Sequence, residues 1–69
     1  MIKLNKIEQF QLFCLEYYKN QISISGKMAL DVFESKGVFN FLEMGYEILH
    51  TQSIKYVVDE IILFIKNRS

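Results

Sequence analysis

Two side chains in this sequence are of types that often carry out chemistry, and each stands alone. His50 is the only histidine and Cys14 the only cysteine among 69 residues. A general base needs a nucleophile or a positioned water, and a structural zinc site usually takes four ligands. One residue of each type supplies neither arrangement. We therefore predict no catalytic residue, no cofactor and no metal site, and we do not expect an enzyme.

The sequence surroundings favour structural roles for both residues. Cys14 lies among aromatic residues at helical spacing, and a reactive cysteine needs a partly exposed setting that stabilises the thiolate. We therefore predict a buried, unreactive thiol. His50 falls at the predicted end of a helix, where the partial negative charge of the helix dipole favours the imidazolium. We predict that His50 caps that helix.

Carboxylates are the remaining candidates for chemistry. Glu43 and Glu47 are one helical turn apart, and Asp59 and Glu60 form a second acidic pair in the sequence. Paired carboxylates take part in acid–base or metal chemistry only with a pocket or with further ligands. A solvated surface is the simplest interpretation, and contact with a basic partner is the alternative.

All of these residues fall on predicted helices. Apolar residues recur at helical spacing along four segments, 5–20, 26–36, 38–50 and 53–67. The fold class that follows is all-α, a compact bundle of four short helices in which the third is central. We take residues 1–69 as one domain, because a chain this short has no room for a second core.

Local signals mark where the helices begin and end. Asn5 followed by Glu8 has the spacing of a capping box, and Ser25 and Ser53 are favourable N-caps for the second and fourth helices. Gly37 suits a left-handed residue that ends the second helix.

The segment 38–50 is apolar over most of its helical circumference, which is typical of a helix surrounded by others. We predict a buried stripe on it, formed by Val38, Phe41, Leu42, Ile48 and Leu49 and widened by Phe39, Met44 and Tyr46. Gly45 lies within the stripe and costs about 1 kcal/mol relative to alanine inside a helix. We expect another helix to pack directly against it.

Other apolar residues lie outside the predicted core. Leu12 and Leu15 leave the apolar arc of the first helix, which we assign to Ile7, Phe10, Phe13, Cys14, Tyr17 and Tyr18. Tyr56 and Leu63 stack on the charged side of the last helix. A neighbouring helix could cover these side chains, or they could contact a protein partner. Our candidate contact residues are Leu12, Leu15, Glu43, Glu47, Tyr56, Asp59, Glu60 and Leu63.

Charge and hydropathy limit the partners. Eight basic residues balance eight acidic ones, which argues against a nucleic-acid binder with a basic surface. Residues 31–60 hold six acidic residues against two lysines, an asymmetry that could steer a basic partner. The sequence has no signal-peptide pattern and no apolar run long enough to span a membrane, so we expect a cytoplasmic protein with no membrane contact.

Several short motifs resemble a family of small bacterial proteins known as a domain of unknown function. They are Phe13-Cys14-Leu15-Glu16 with Tyr18-Lys19, Ser25-Gly26-Lys27, Lys36-Gly37-Val38, Tyr46-Glu47 with Leu49-His50-Thr51, and Ile65-Lys66-Asn67-Arg68. Members are often encoded beside a protein related to ADP-ribosyltransferases. The resemblance implies a toxin–antitoxin or effector–immunity role, and it brings no catalytic residues with it. Members often carry a charged residue where this sequence has Ile62-Leu63.

Two functions remain open at this point. The first is a protein–protein interaction module that binds the product of a neighbouring gene, with an ADP-ribosyltransferase-like toxin as the partner that the resemblance implies. The alternative is a small helix-turn-helix-like DNA-binding regulator, since short helices joined by tight turns can form that motif. A homodimer is as compatible with the surplus of apolar residues as a monomer.

Overall fold

Capping residues fix the ends of the helices in the computed structural model, which describes residues 3–68. Within that range the chain is all-α, with no strand, and its radius of gyration is 11.4 Å. The helices, in chain order, are α1 (Lys6–Ile22), α2 (Gly26–Ser35), α3 (Val38–Met44), α4 (Tyr46–Leu49) and α5 (Ile54–Asn67). The predicted all-α class is therefore confirmed.

The predicted N-caps are confirmed by hydrogen bonds. The amide of Glu8 donates to Asn5 Oδ1 at 2.8 Å, and the amide of Asn5 donates to Glu8 Oε1 at 3.0 Å, which completes the capping box of α1. Ser25 Oγ accepts a hydrogen bond from the amide of Met28 at 3.1 Å. Ser53 Oγ accepts one from the amide of Tyr56 at 3.2 Å. Each serine thereby satisfies one of the amides that a helix start leaves unpaired.

The connection between α2 and α3 is a tight turn at Gly37. This glycine has φ 73° and ψ 26°, the left-handed conformation that the sequence predicts. A side chain is strained in that conformation, so glycine allows only two residues to separate the end of α2 from the start of α3.

The prediction of one continuous helix over 38–50 is wrong. Gly45 has φ −96° and ψ 6°, which interrupts the helix and leaves α3 and the single turn of α4. Hydrogen bonds continue on either side of the break, from Gly45 N to Phe41 O at 3.0 Å and from Leu49 N to Gly45 O at 2.8 Å. The element is therefore a bent helix that changes direction at its glycine.

The expected contact between Gly45 and another helix is also wrong. A Cβ built at Gly45 would lie 3.0 Å from Leu49 Cδ1 and 3.3 Å from Phe41 O. Both neighbours belong to the bent helix itself. The glycine leaves room for the Leu49 side chain to fold back into the core, where it is 8% exposed.

Every helix contributes to one core. α1 packs against α2, α3 and α5, and α3 packs against α1, α2, α4 and α5. The buried residues are Cys14, Tyr18, Ala29, Phe33, Val38, Leu42, Leu49, Val57, Val58 and Ile61. The prediction that the third helix is central holds for α3, which contacts all the other elements.

Phe33 joins three of the helices. Its side chain is fully buried, and its ring lies 5.3 Å from the ring of Tyr18 on α1 and 5.4 Å from that of Phe39 on α3. The contact with Phe39 is edge-to-face at 76°, an arrangement that aromatic quadrupoles favour.

Several residues assigned to the core by periodicity lie at the surface instead. Phe13 is 58% exposed, Met44 80% and Ile48 71%. Periodicity identified the correct side of each helix, but the apolar arcs are wider than the area that neighbouring helices cover.

Phe33 and Phe13 form a matched pair for testing the core. We expect Phe33→Ala to cost about 3–5 kcal/mol of unfolding free energy through lost burial and the cavity left behind. A domain of this size rarely has more stability than that, so the variant should be largely unfolded by circular dichroism. Phe13→Ala should cost less than about 1 kcal/mol, and comparable losses for the two variants would contradict this description of the core.

The bent helix can be tested at its glycine. We expect Gly45→Leu to cost about 1–3 kcal/mol, because a side chain there must displace Leu49 and crowd the carbonyl of Phe41. Glu43→Ala and Glu47→Ala should each stay within about 0.5 kcal/mol of wild type in urea denaturation. A neutral or stabilising Gly45→Leu would show that the glycine is not required by packing.

Candidate protein-contact surface

Cys14 and His50, the only cysteine and histidine of the sequence, both occupy structural positions. Cys14 is fully buried, and burial raises the pKa of its thiol from 9.0 to about 12 because the thiolate would lose its hydration. The setting is the opposite of the one that activates a cysteine.

His50 caps α4 as predicted. Its Nδ1 lies 2.6 Å from the carbonyl oxygen of Tyr46, and since a carbonyl only accepts, Nδ1 carries the proton. The imidazole also stacks on the Tyr46 ring, with the centroids 4.4 Å apart and the planes 10° from parallel. Both contacts are made within one turn, so they stabilise the end of the short helix.

No concave site accompanies these residues. In the part of the chain that the structure describes, there is no pocket and no group of three or more histidine, cysteine, aspartate or glutamate residues placed to hold a metal ion. Between residues 3 and 68 there is also no helix long and apolar enough to cross a membrane.

The candidate contact residues are spread over three parts of the protein surface. Leu12 on α1 is 45% exposed, and Tyr56 and Leu63 on α5 are 47% and 52% exposed. Leu15 is partly buried against the core, so a neighbouring helix covers much of it.

The acidic candidates also differ from one another. Asp59 is paired with Lys55 at 3.3 Å, and Glu60 is partly buried. Glu43 and Glu47 are exposed, and neither has an ion-pair partner within residues 3–68. The carboxylates on α3 and α4 are thus the ones left available for a partner.

Sequence reasoning missed the most exposed apolar side chains near those carboxylates. Met44 and Ile48 each follow a glutamate, in the dipeptides Glu43-Met44 and Glu47-Ile48, one helical turn apart. The pairing of an acidic with an apolar residue is no signal for exposure, because Glu60-Ile61 has the same pattern and Ile61 is fully buried. We call these four residues the acidic ridge.

The acidic ridge is held in place by contacts beneath it. Leu49 is buried in the core, and the Tyr46 ring packs edge-to-face on Phe10 of α1 with the centroids 5.4 Å apart. Met44 Sδ accepts a hydrogen bond from Asn40 Nδ2 at 3.5 Å. These contacts give the four-residue α4 a fixed position that its own hydrogen bonds could not supply.

Comparison with known proteins places the sequence in a family. A family model described as a protein of unknown function, DUF3791, matches residues 9–68. The chain belongs to the DUF3791 family. No significant match was found among curated proteins or among solved structures.

Family membership confirms the resemblance to a small domain of unknown function. The match runs from the first turns of α1 to the end of α5, so all five helices of this DUF3791 protein belong to the shared sequence pattern. The acidic ridge lies inside the matched region, and the family description assigns it no role.

Burial of the thiol predicts a specific loss of stability at high pH. The unfolded DUF3791 chain releases the Cys14 proton near pH 9, whereas the folded chain retains it up to about pH 12. The unfolded state therefore gains stability as the pH rises through this window, by at most about 1.4 kcal/mol per pH unit. Tyr18, whose pKa burial raises above 10.0, adds a change of the same sign.

Urea denaturation of wild type and Cys14→Ala at about pH 8 and about pH 11 tests this expectation. Wild type should lose more unfolding free energy between the two pH values than the variant does. Equal losses would mean that Cys14 ionises as freely in the folded protein as in the unfolded chain.

Proposed function

We propose that this DUF3791 protein is a cytoplasmic protein–protein interaction module that works by covering a surface of its partner, without chemistry of its own. The observation that carries the proposal is the exposure of large apolar side chains. Within residues 3–68, nine of them are at least 39% exposed, and they include a tyrosine and a phenylalanine. Aromatic and large aliphatic side chains supply most of the binding energy at protein interfaces.

The partner that we propose is another bacterial protein. The resemblance described above implies an ADP-ribosyltransferase-like toxin encoded by a neighbouring gene, which the small protein would bind and restrain. Such an inhibitor needs a complementary surface, good packing and complementary charge rather than a catalytic group. The exposed apolar residues and the unpaired Glu43 and Glu47 are compatible with that role.

The negative charge of residues 38–49 argues against the DNA-binding alternative. A recognition helix usually presents arginine, lysine, asparagine or glutamine to the groove. Residues 38–49 contain two glutamates, one asparagine and no lysine or arginine. Phosphates would be repelled by this segment, so a protein partner is favoured.

Co-expression with the neighbouring gene product, followed by affinity purification, tests the proposed function. We expect a stable complex that survives size-exclusion chromatography, and relief of any growth defect that the neighbour causes alone. A chain with Phe33→Ala is the matched control, since it retains the surface residues but should lose the fold that presents them. Absence of both a complex and relief would refute the proposal.

Light scattering coupled to size exclusion should be run on the isolated protein. Because we propose that the apolar surface serves a different protein, we expect a monomer at micromolar concentration. A stable homodimer would assign at least part of that surface to a second copy.

A further inference from the structure

The acidic ridge combines two unpaired carboxylates with the two large apolar side chains that are most exposed among the described residues. Met44 is 80% exposed and Ile48 71%, compared with 47% and 52% for Tyr56 and Leu63 on α5. Resting on the interaction role proposed above, we infer that the acidic ridge is the docking surface for a basic amphipathic helix of another protein. The two apolar side chains would meet its apolar face, and the two glutamates would meet flanking lysines or arginines.

Unbalanced charge is the first argument for a basic occupant. Two exposed acidic residues elsewhere have local partners, with Glu16 2.8 Å from Lys19 and Asp59 3.3 Å from Lys55, whereas Asp31 and Glu34 on α2 are exposed without one in the part of the chain that the structure describes. Across residues 3–68, no such partner lies within 4 Å of Glu43 or Glu47. An incoming cation therefore has no resident lysine or arginine to displace.

Arg68 lies near the end of α3 that is opposite to the two carboxylates. Arg68 lies over the Phe64 ring at 5.1 Å, and a Cβ at Gly37 would be 3.9 Å from Arg68 Nη2. Gly37 precedes α3, and Glu43 follows it by roughly 9 Å along the helix axis at about 1.5 Å per residue. Arg68 is thus placed beside the start of α3, and the carboxylates beside its end.

Charge also decides between the possible occupants. Nucleic acids and the cytoplasmic leaflet of membranes are negatively charged, so both would be repelled by the two carboxylates. A second copy bound face to face about a two-fold axis would set the same acidic residues against each other. A helix with apolar residues one turn apart and flanking basic residues complements both the apolar and the acidic side chains of the acidic ridge.

A nuclear magnetic resonance titration of the whole chain tests this inference with three peptides. The first is a helical leucine–lysine peptide with its leucines on one face, the second has glutamate in place of lysine, and the third is a scrambled leucine–lysine peptide without an apolar face. We expect the first peptide to shift the amides of residues 43–48, and to bind at least about tenfold more tightly than the other two. Its affinity should fall as salt is added.

Paired variants separate the apolar and the charged contributions. Met44→Gln with Ile48→Gln, and Glu43→Gln with Glu47→Gln, should each weaken binding of the first peptide by about tenfold. The matched controls are Met28→Gln with Ile22→Gln and the single change Glu34→Gln, which alter exposed residues elsewhere and should leave the affinity unchanged. All variants change surface side chains, so dispersed amide spectra should confirm that they remain folded.

Several results would overturn the inference. They are no binding of the first peptide, equal binding of the glutamate or scrambled peptide, shifts that map outside residues 43–48, and unchanged affinity in the ridge variants. Self-association through these residues would assign the ridge to a second copy instead.

The inference about the acidic ridge and the proposed interaction role can be refuted independently of each other. If the purified complex with the neighbouring gene product survives both pairs of ridge substitutions, the docking surface is wrong while the interaction role stands. If wild type forms no such complex, the role fails, and the peptide titration still decides what the ridge recognises.

Discussion

The contact of the Phe33 ring with Tyr18 and Phe39 is the interaction on which the rest of the structure depends. It joins α1, α2 and α3 at one fully buried side chain. A chain of this size buries only about 60% of the surface that its unfolded form exposes, so it has few independent sources of stability. Its single cysteine cannot form an internal disulfide that would compensate. Aromatic packing between helices therefore replaces the cross-links that many small proteins use.

Gly45 allows the bent helix to bury Leu49 while Ile48, the residue before it, stays exposed. Leu42 and Leu49 are both buried, and they are seven residues apart, close to two full turns. The glycine lets the backbone bend and lets the Leu49 side chain fold beneath it, while Ile48 remains in solvent. The same residue that weakens the helix thus places one leucine in the core and one isoleucine on the surface.

Local features of this fold are predictable from the sequence, and features set by tertiary contacts are not. The helix caps and the tight turn depend on residues within a few positions of each other, so they can be predicted from the sequence. The residues concerned are Asn5, Ser25, Ser53 and Gly37. Periodicity placed Cys14 in the core correctly but also placed Phe13 there. Which residues of an apolar arc are buried depends on how far the facing helix extends over that arc.

The same dependence on tertiary contacts explains why the candidate site was predicted only in part. Glu43 and Glu47 were identified, whereas Met44 and Ile48 were assigned to the core because their apolar character fits a buried stripe equally well.

The order in which the helices pack has a consequence for how quickly the chain folds. α2 packs on both of its sequence neighbours, α1 and α3, and α3 packs on α4, so much of the core joins segments that are close along the chain. Small helical proteins with such local contacts fold in microseconds to milliseconds. The sequence also contains no proline, so the slow isomerisation that delays many refolding reactions by tens of seconds does not arise. Newly made chains should therefore reach their folded form without a kinetic delay, and the supply of folded protein should follow synthesis directly.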